Sequence, residues 1–129
     1  MGLKITLKPN ERMILGGAVI RNGASKTELT VENNVPILRQ KNIIGPDEAN
    51  SPARRIYFAV QLMYVDEGHL AEHHKLYWAL VKDFVAAAPS ATGLVDRINA
   101  AVLESQYYDA LKAAHKLIDY EKELLDRVQ

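Results

Sequence analysis

Cysteine is absent from the 129 residues. That excludes disulfides, thiol nucleophiles and thiolate metal sites, and it fits a reducing compartment. No apolar stretch approaches the roughly 20 residues needed to span a bilayer. The opening MGLKITLKP holds no apolar run before a small-residue cleavage site, so it does not read as a secretory signal. It does fit the loose myristoylation pattern, with Gly2 and Thr6 in place. The same residues alternate as a buried strand would, so lipidation is not expected. Phe, Tyr and Trp are missing before Tyr57. RNA-recognition motifs, cold-shock domains and OB-folds stack bases on such rings, and the first half of this chain has none to offer. No Walker loop, dinucleotide fingerprint or Ser-His-Asp set occurs, and Gly16-Gly17 is too isolated for a phosphate loop. The expectation is a cytoplasmic protein that binds rather than catalyses, without cofactor or membrane.

What is present supports a globular chain: 48% of residues are hydrophobic and 25% charged. The net charge is zero but unevenly spread. Residues 1–46 hold seven bases (Lys4, Lys8, Arg12, Arg21, Lys26, Arg39, Lys41) against three acids (Glu11, Glu28, Glu32). The remainder holds nine bases against thirteen acids. A basic half joined to an acidic half points to a polyanionic partner for the former.

The basic part reads as a β-module over residues 1–45. Leu3, Ile5 and Leu7 alternate with Lys4, Thr6 and Lys8, the period of a strand with one buried face. Pro9-Asn10 breaks it. Met13-Ile14-Leu15 ends at Gly16-Gly17, and Ala18 to Arg21 resumes. Asn22-Gly23 is the strongest short hairpin signal in the chain. Thr27, Leu29 and Val31 then share one face. Val35 to Arg39 is a further strand, which Pro36 places at an edge or a strand start. Five short strands imply a small antiparallel sheet or barrel. So small a unit buries little surface alone, which points to a homo-oligomer or to cover from the helices.

Residues 46–129 read as a four-helix module behind the Gly45-Pro46 hinge. Asp47 or Ser51 can cap the first helix, and Pro52 suits its first position. Apolar stripes follow at helical spacing: Ile56, Val60 and Met63; then Leu70 through Val85; then Leu94 through Val102. Ser105 is read as the cap of the last helix, whose stripe runs from Tyr108 to Leu125. The fold class is therefore α+β, strands first and helices second. Trp78 and the six tyrosines all fall on helices, where packing is their expected role.

Candidate sites follow from charge and geometry. In Pro36 to Lys41 an edge strand carries alternating bases, and Arg39 leads, because its planar fork can grip a phosphate or a guanine edge at two points. His69-Leu70-Ala71-Glu72-His73 matches the H-x-x-E-H pattern of inverted zinc proteases. Zinc would need a third ligand and a large cleft. His73 lies on the apolar stripe, so both histidines are read as structural and no metal is expected.

Several runs resemble the FlbT family of bacterial flagellum-biosynthesis regulators. They are Leu7-Lys8-Pro9-Asn10-Glu11-Arg12, Ile14 to Ile20, Asn22-Gly23 and Pro36-Ile37-Leu38-Arg39. Ser51 to Tyr57, Ala59 to Tyr64, Tyr108 to Lys112 and Leu117 to Glu121 join them. The resemblance implies a post-transcriptional regulator that associates with the untranslated leader of flagellin messenger RNA, as repressor or activator. It implies a functional counterpart, FlaF. A fainter likeness over residues 3–44 is to the RNA-binding carbon-storage regulator CsrA, in Glu11, Ile14-Leu15-Gly16 and Arg39. That β protein forms an interlocked dimer and reads GGA-containing loops without stacking rings. Its first strand has consecutive arginines where this chain has Leu7 and Lys8.

On this reading Arg39, Lys8, Arg12 and Lys41 carry the RNA contacts, and Lys4, Arg21 and Lys26 widen the positive field. Translation is controlled by covering or exposing the ribosome site. Arg39→Ala is expected to weaken leader binding by about 1–3 kcal/mol. The competing reading is a protein adaptor whose helices bind flagellin or FlaF, with RNA effects following indirectly.

Overall fold

Alternation in the first residues produces the strand it implies. The computed structural model describes residues 2–128, and the chain divides into two compact units at Ile43 and Ile44. In the first unit β1 (Leu3–Leu7) pairs antiparallel with β4 (Thr27–Val31), with Ile5 opposite Leu29 and Lys4 opposite Thr30. The second sheet has β2 (Arg12–Leu15) at its centre, between β3 (Ala18–Arg21) and β5 (Ile37–Arg39). The inward residues of both sheets meet. Ile5, Leu7 and Met13 are buried together, with Leu15, Ile20, Leu29, Val31 and Ile37 packed around them. Side chains one step along each strand point the other way: Lys4 is exposed there, and Arg12 and Arg21 are exposed on a face that also carries the buried Ile14 and Leu38.

One turn expectation is corrected. Asn22-Gly23 does not close a hairpin, since β3 and β4 lie in different sheets. Asn22 is a structural clamp instead. Its Nδ2 donates to the carbonyls of Leu7 at 3.3 Å, Lys8 at 2.8 Å and Ser25 at 2.9 Å. The hairpin sits at Gly16-Gly17, which joins β2 to β3. Both glycines have positive φ, 57° and 89°, the conformation of a type I′ turn and one that costs any residue with a Cβ. The last strand begins at Ile37 rather than Val35.

The second unit holds four α-helices. Ser51 caps α1 (Pro52–Val65), its Oγ accepting from the Arg54 N–H, with Pro52 in the first turn. Then come α2 (Leu70–Ala87), α3 (Thr92–Leu103) and α4 (Tyr107–Val128). Helix α1 packs against α2 and α4, and α4 also packs against α3. Ile56, Val60 and Met63 of α1 are fully buried, as are Tyr77, Ile98 and Leu117 of the other helices. Ser105 belongs to the end of α3, not the start of α4. It has φ 56°, its N–H donates to the Val102 carbonyl, and that of Gln106 donates to Ala101. This is the Schellman closure, in which the residue after the helix turns left-handed.

Gln61 is the one buried polar side chain among the described residues, and it clamps the segment ahead of α1. Its Oε1 accepts from the Ile44 N–H, and its Nε2 donates to the Ile44 carbonyl, both at 2.9 Å. Gln61→Leu keeps the volume but leaves both backbone groups without these partners. The expected loss is about 1–3 kcal/mol, read as a lower midpoint in chemical denaturation.

Candidate nucleic-acid interface

The cations of the first unit fall into three places. Arg12 and Arg21 are direct cross-strand partners on β2 and β3. They point away from the buried cluster, both are exposed, and among the described residues neither pairs with a carboxylate. Like charges set opposite each other on neighbouring strands repel by up to roughly 1 kcal/mol. An anion bridging the two guanidiniums would remove that cost.

Lys8, Arg39 and Lys41 form the second place. They line a cleft of about 680 Å³ together with Pro9, Asn10, Glu11 and Gln40. The cleft is held firmly. Asn10 has φ 62°, the Glu11 N–H donates to Lys8, and the Lys8 N–H donates to Glu11 Oε1 at 2.9 Å. Gln40 Oε1 accepts from the Arg12 N–H at 2.6 Å, which ties the turn that carries Lys41 (Gln40–Asn42) to β2.

Arg39 is not a free fork. Its Nε and Nη2 donate to Glu11 Oε2 at 3.2 and 2.9 Å, and Nη2 also donates to the Thr6 carbonyl at 2.8 Å. The side chains are 36% and 13% exposed. The Lys8 N–H, and then Arg39, hold the Glu11 carboxyl below its ordinary value. Glu11 is the partner that sequence reasoning missed. It lies 28 residues from Arg39 in the chain, and only the pairing of β2 with β5 brings them together. Lys4 and Lys26 occupy the third place. Lys4 is exposed on the outer face of the two-stranded sheet, and Lys26 is exposed just before β4.

In the second unit His69 and His73 do converge, on a carboxylate. His69 Nδ1 lies 3.0 Å and His73 Nε2 2.9 Å from Asp66 Oδ2. Asp66 is the residue that ends α1. The bonds from His73, and then His69, hold the Asp66 carboxyl below its ordinary value. The same carboxylate raises the His69 imidazole. A lowered acid stabilises the fold above its unfolded value and loses that effect as pH falls through its folded value. A raised histidine stabilises below its unfolded value and loses that effect as pH rises through its folded value. Asp66→Asn is therefore expected to destabilise most between the two ordinary values, pH 3.8 and 6.5. Urea midpoints of both proteins across pH check this, and a difference independent of pH would refute it.

Among the described residues no cluster of three or more His, Asp or Glu is arranged to hold a metal, and no helix is long and apolar enough to cross a membrane. Residues 3–125 match the family described as "Flagellar protein FlbT". The chain is similar to a "Probable flagellum biosynthesis repressor protein FlbT 1" of Bradyrhizobium diazoefficiens, 45% identical over 96% of this chain and 85% of the relative. It is 38% identical to the "Flagellum biosynthesis repressor protein FlbT" of Caulobacter vibrioides, over 99% of this chain and 92% of the relative. A Rhodopseudomonas palustris relative with the "probable" form of that name is 35% identical, over 98% and 100%. No solved structure matches.

Proposed function

The chain belongs to the FlbT family of flagellar proteins, and from that premise we propose that it regulates flagellar synthesis by binding the 5′ untranslated leader of flagellin mRNA. The observation that carries this reading is the Arg12–Arg21 pair: two exposed guanidiniums in register, with no acid of the described residues paired with them. The first unit has no ring on which to stack a base. Its grip on RNA is therefore electrostatic, through Arg12 and Arg21, with Lys8 and Lys41 at the cleft extending it along the backbone. Lys4 and Lys26 add to the field and make fewer contacts. Arg39 positions the cleft. In this reading occupation of the leader controls access of the ribosome in the cytoplasm, and relatives named repressors of flagellum biosynthesis fit a negative effect.

The pure protein should retard leader RNA in a gel without any added factor. Single-strand binding through phosphates loses affinity with salt at a logarithmic slope of about 0.7 per contact. Failure to retard RNA, with capture of purified flagellin or FlaF instead, would replace this reading with the adaptor.

A further inference from the structure

The helical unit carries an open apolar recess of about 430 Å³ that the RNA reading does not use. Leu80, Phe84 and Ala87 of α2 form one wall, at the i, i+4, i+7 spacing of a single helix face. Leu124 and Leu125 of α4 form the other. Phe84 is buried, but Leu125, itself part of the lining, is 56% exposed and so offers an apolar side chain, a knob, to a partner. Three charged residues share the lining: Arg55, Asp83 and Glu121. Glu121 Oε2 accepts from the Ala53 N–H at 2.9 Å and so holds the start of α1. Arg55 and Asp83 are exposed, and among the described residues neither has an ion-pair partner.

Protein interiors are close-packed, so an apolar recess of this size is a place for an occupant. The patch identifies which one. It holds both a knob and a hole, and unpaired charges of both signs. A rim of one sign would select a foreign partner of the opposite sign. A rim of both signs beside a knob and a hole is complementary to itself. A two-fold axis placed through the patch lets Leu125 of each copy enter the recess of the other. It would also set Arg55 of each against Asp83 of the other, forming every favourable contact twice.

We propose that this recess is the contact between two copies of the chain, with the α4 helices antiparallel across a two-fold axis. The inference is independent of RNA binding. Sedimentation equilibrium of the full chain should show the mass rising with concentration from one chain towards two. Leu125→Asp should hold it at one chain. Leu103→Asp, on a residue 72% exposed on α3, should leave it unchanged. Arg55→Glu should weaken association, and adding Asp83→Arg to it should restore it. Because the chain lacks cysteine, an Ala87→Cys protein mixed with a Leu125→Cys protein should yield a mixed disulfide when oxidised with diamide. This holds even if the aspartate variant folds poorly. A single-chain mass at every concentration would overturn the proposal. So would a dimer broken by Leu103→Asp rather than Leu125→Asp, or a monomer whose recess takes up a small apolar probe.

Discussion

A chain carrying Arg12→Ala and Arg21→Ala is expected to bind flagellin leader RNA about 30- to 1000-fold more weakly, a loss of about 2–4 kcal/mol. Each arginine contributes a contact worth at least about 1 kcal/mol. Both side chains are exposed beside the buried Ile14 and Leu38, and among the described residues neither has a carboxylate partner, so their charge is available to a phosphate. The logarithmic salt slope should fall by about 1.4, two single-strand contacts at about 0.7 each. Stability should move the other way or not at all, because removing the two opposed like charges relieves their repulsion. That opposite sign separates contact from folding. Lys4→Ala is the control: its side chain lies on the outer face of the other sheet, so its effect should be several-fold smaller. Equal losses from Lys4→Ala and from the double variant would reduce the surface to a diffuse field with no anchor. Unchanged binding by the double variant would remove the pair from the interface.

The strands and helices were legible because each carries its own period. Leu3, Ile5 and Leu7 announce β1, and Ser51-Pro52 announces α1, from neighbours alone. Partnership was not legible. Asn22-Gly23 has the local chemistry of a hairpin, yet the Asn22 amide does more by binding Leu7, Lys8 and Ser25 together. The I′ turn went to Gly16-Gly17, two residues that meet its positive φ without strain. Ser105 carries a cap's chemistry and still closes the helix before it, because the chain must reverse there. The same limit applies at the interface. Sequence located the cations and their excess over acids. It could not show that Arg39 meets Glu11 while the Arg12 and Arg21 side chains pair with no carboxylate among the described residues, since that is decided by strand register.

Arg39→Ala should act through the fold of the first unit more than through RNA contact. Its guanidinium joins three strands or their ends: Arg39 itself closes β5, Thr6 is on β1, and Glu11 leads into β2. Exposed ion pairs contribute about 0–1 kcal/mol, and breaking a buried one costs about 3–5. This pair is partly covered, so about 2 kcal/mol of stability is expected to be lost, with faster amide exchange in β1, β2 and β5. The loss should depend on pH with a definite sign. The Glu11 carboxyl is held below its ordinary value of 4.5, so its pairing stabilises above that value and fades as pH falls through the folded one. The gap between Arg39→Ala and the parent protein should therefore narrow on acidification. Leader binding by Arg39→Ala, measured where the variant is fully folded, should fall much less than binding by the Arg12 and Arg21 double variant. A variant with parental stability and abolished RNA binding would return Arg39 to direct contact, and would mean that RNA displaces Glu11 from the fork.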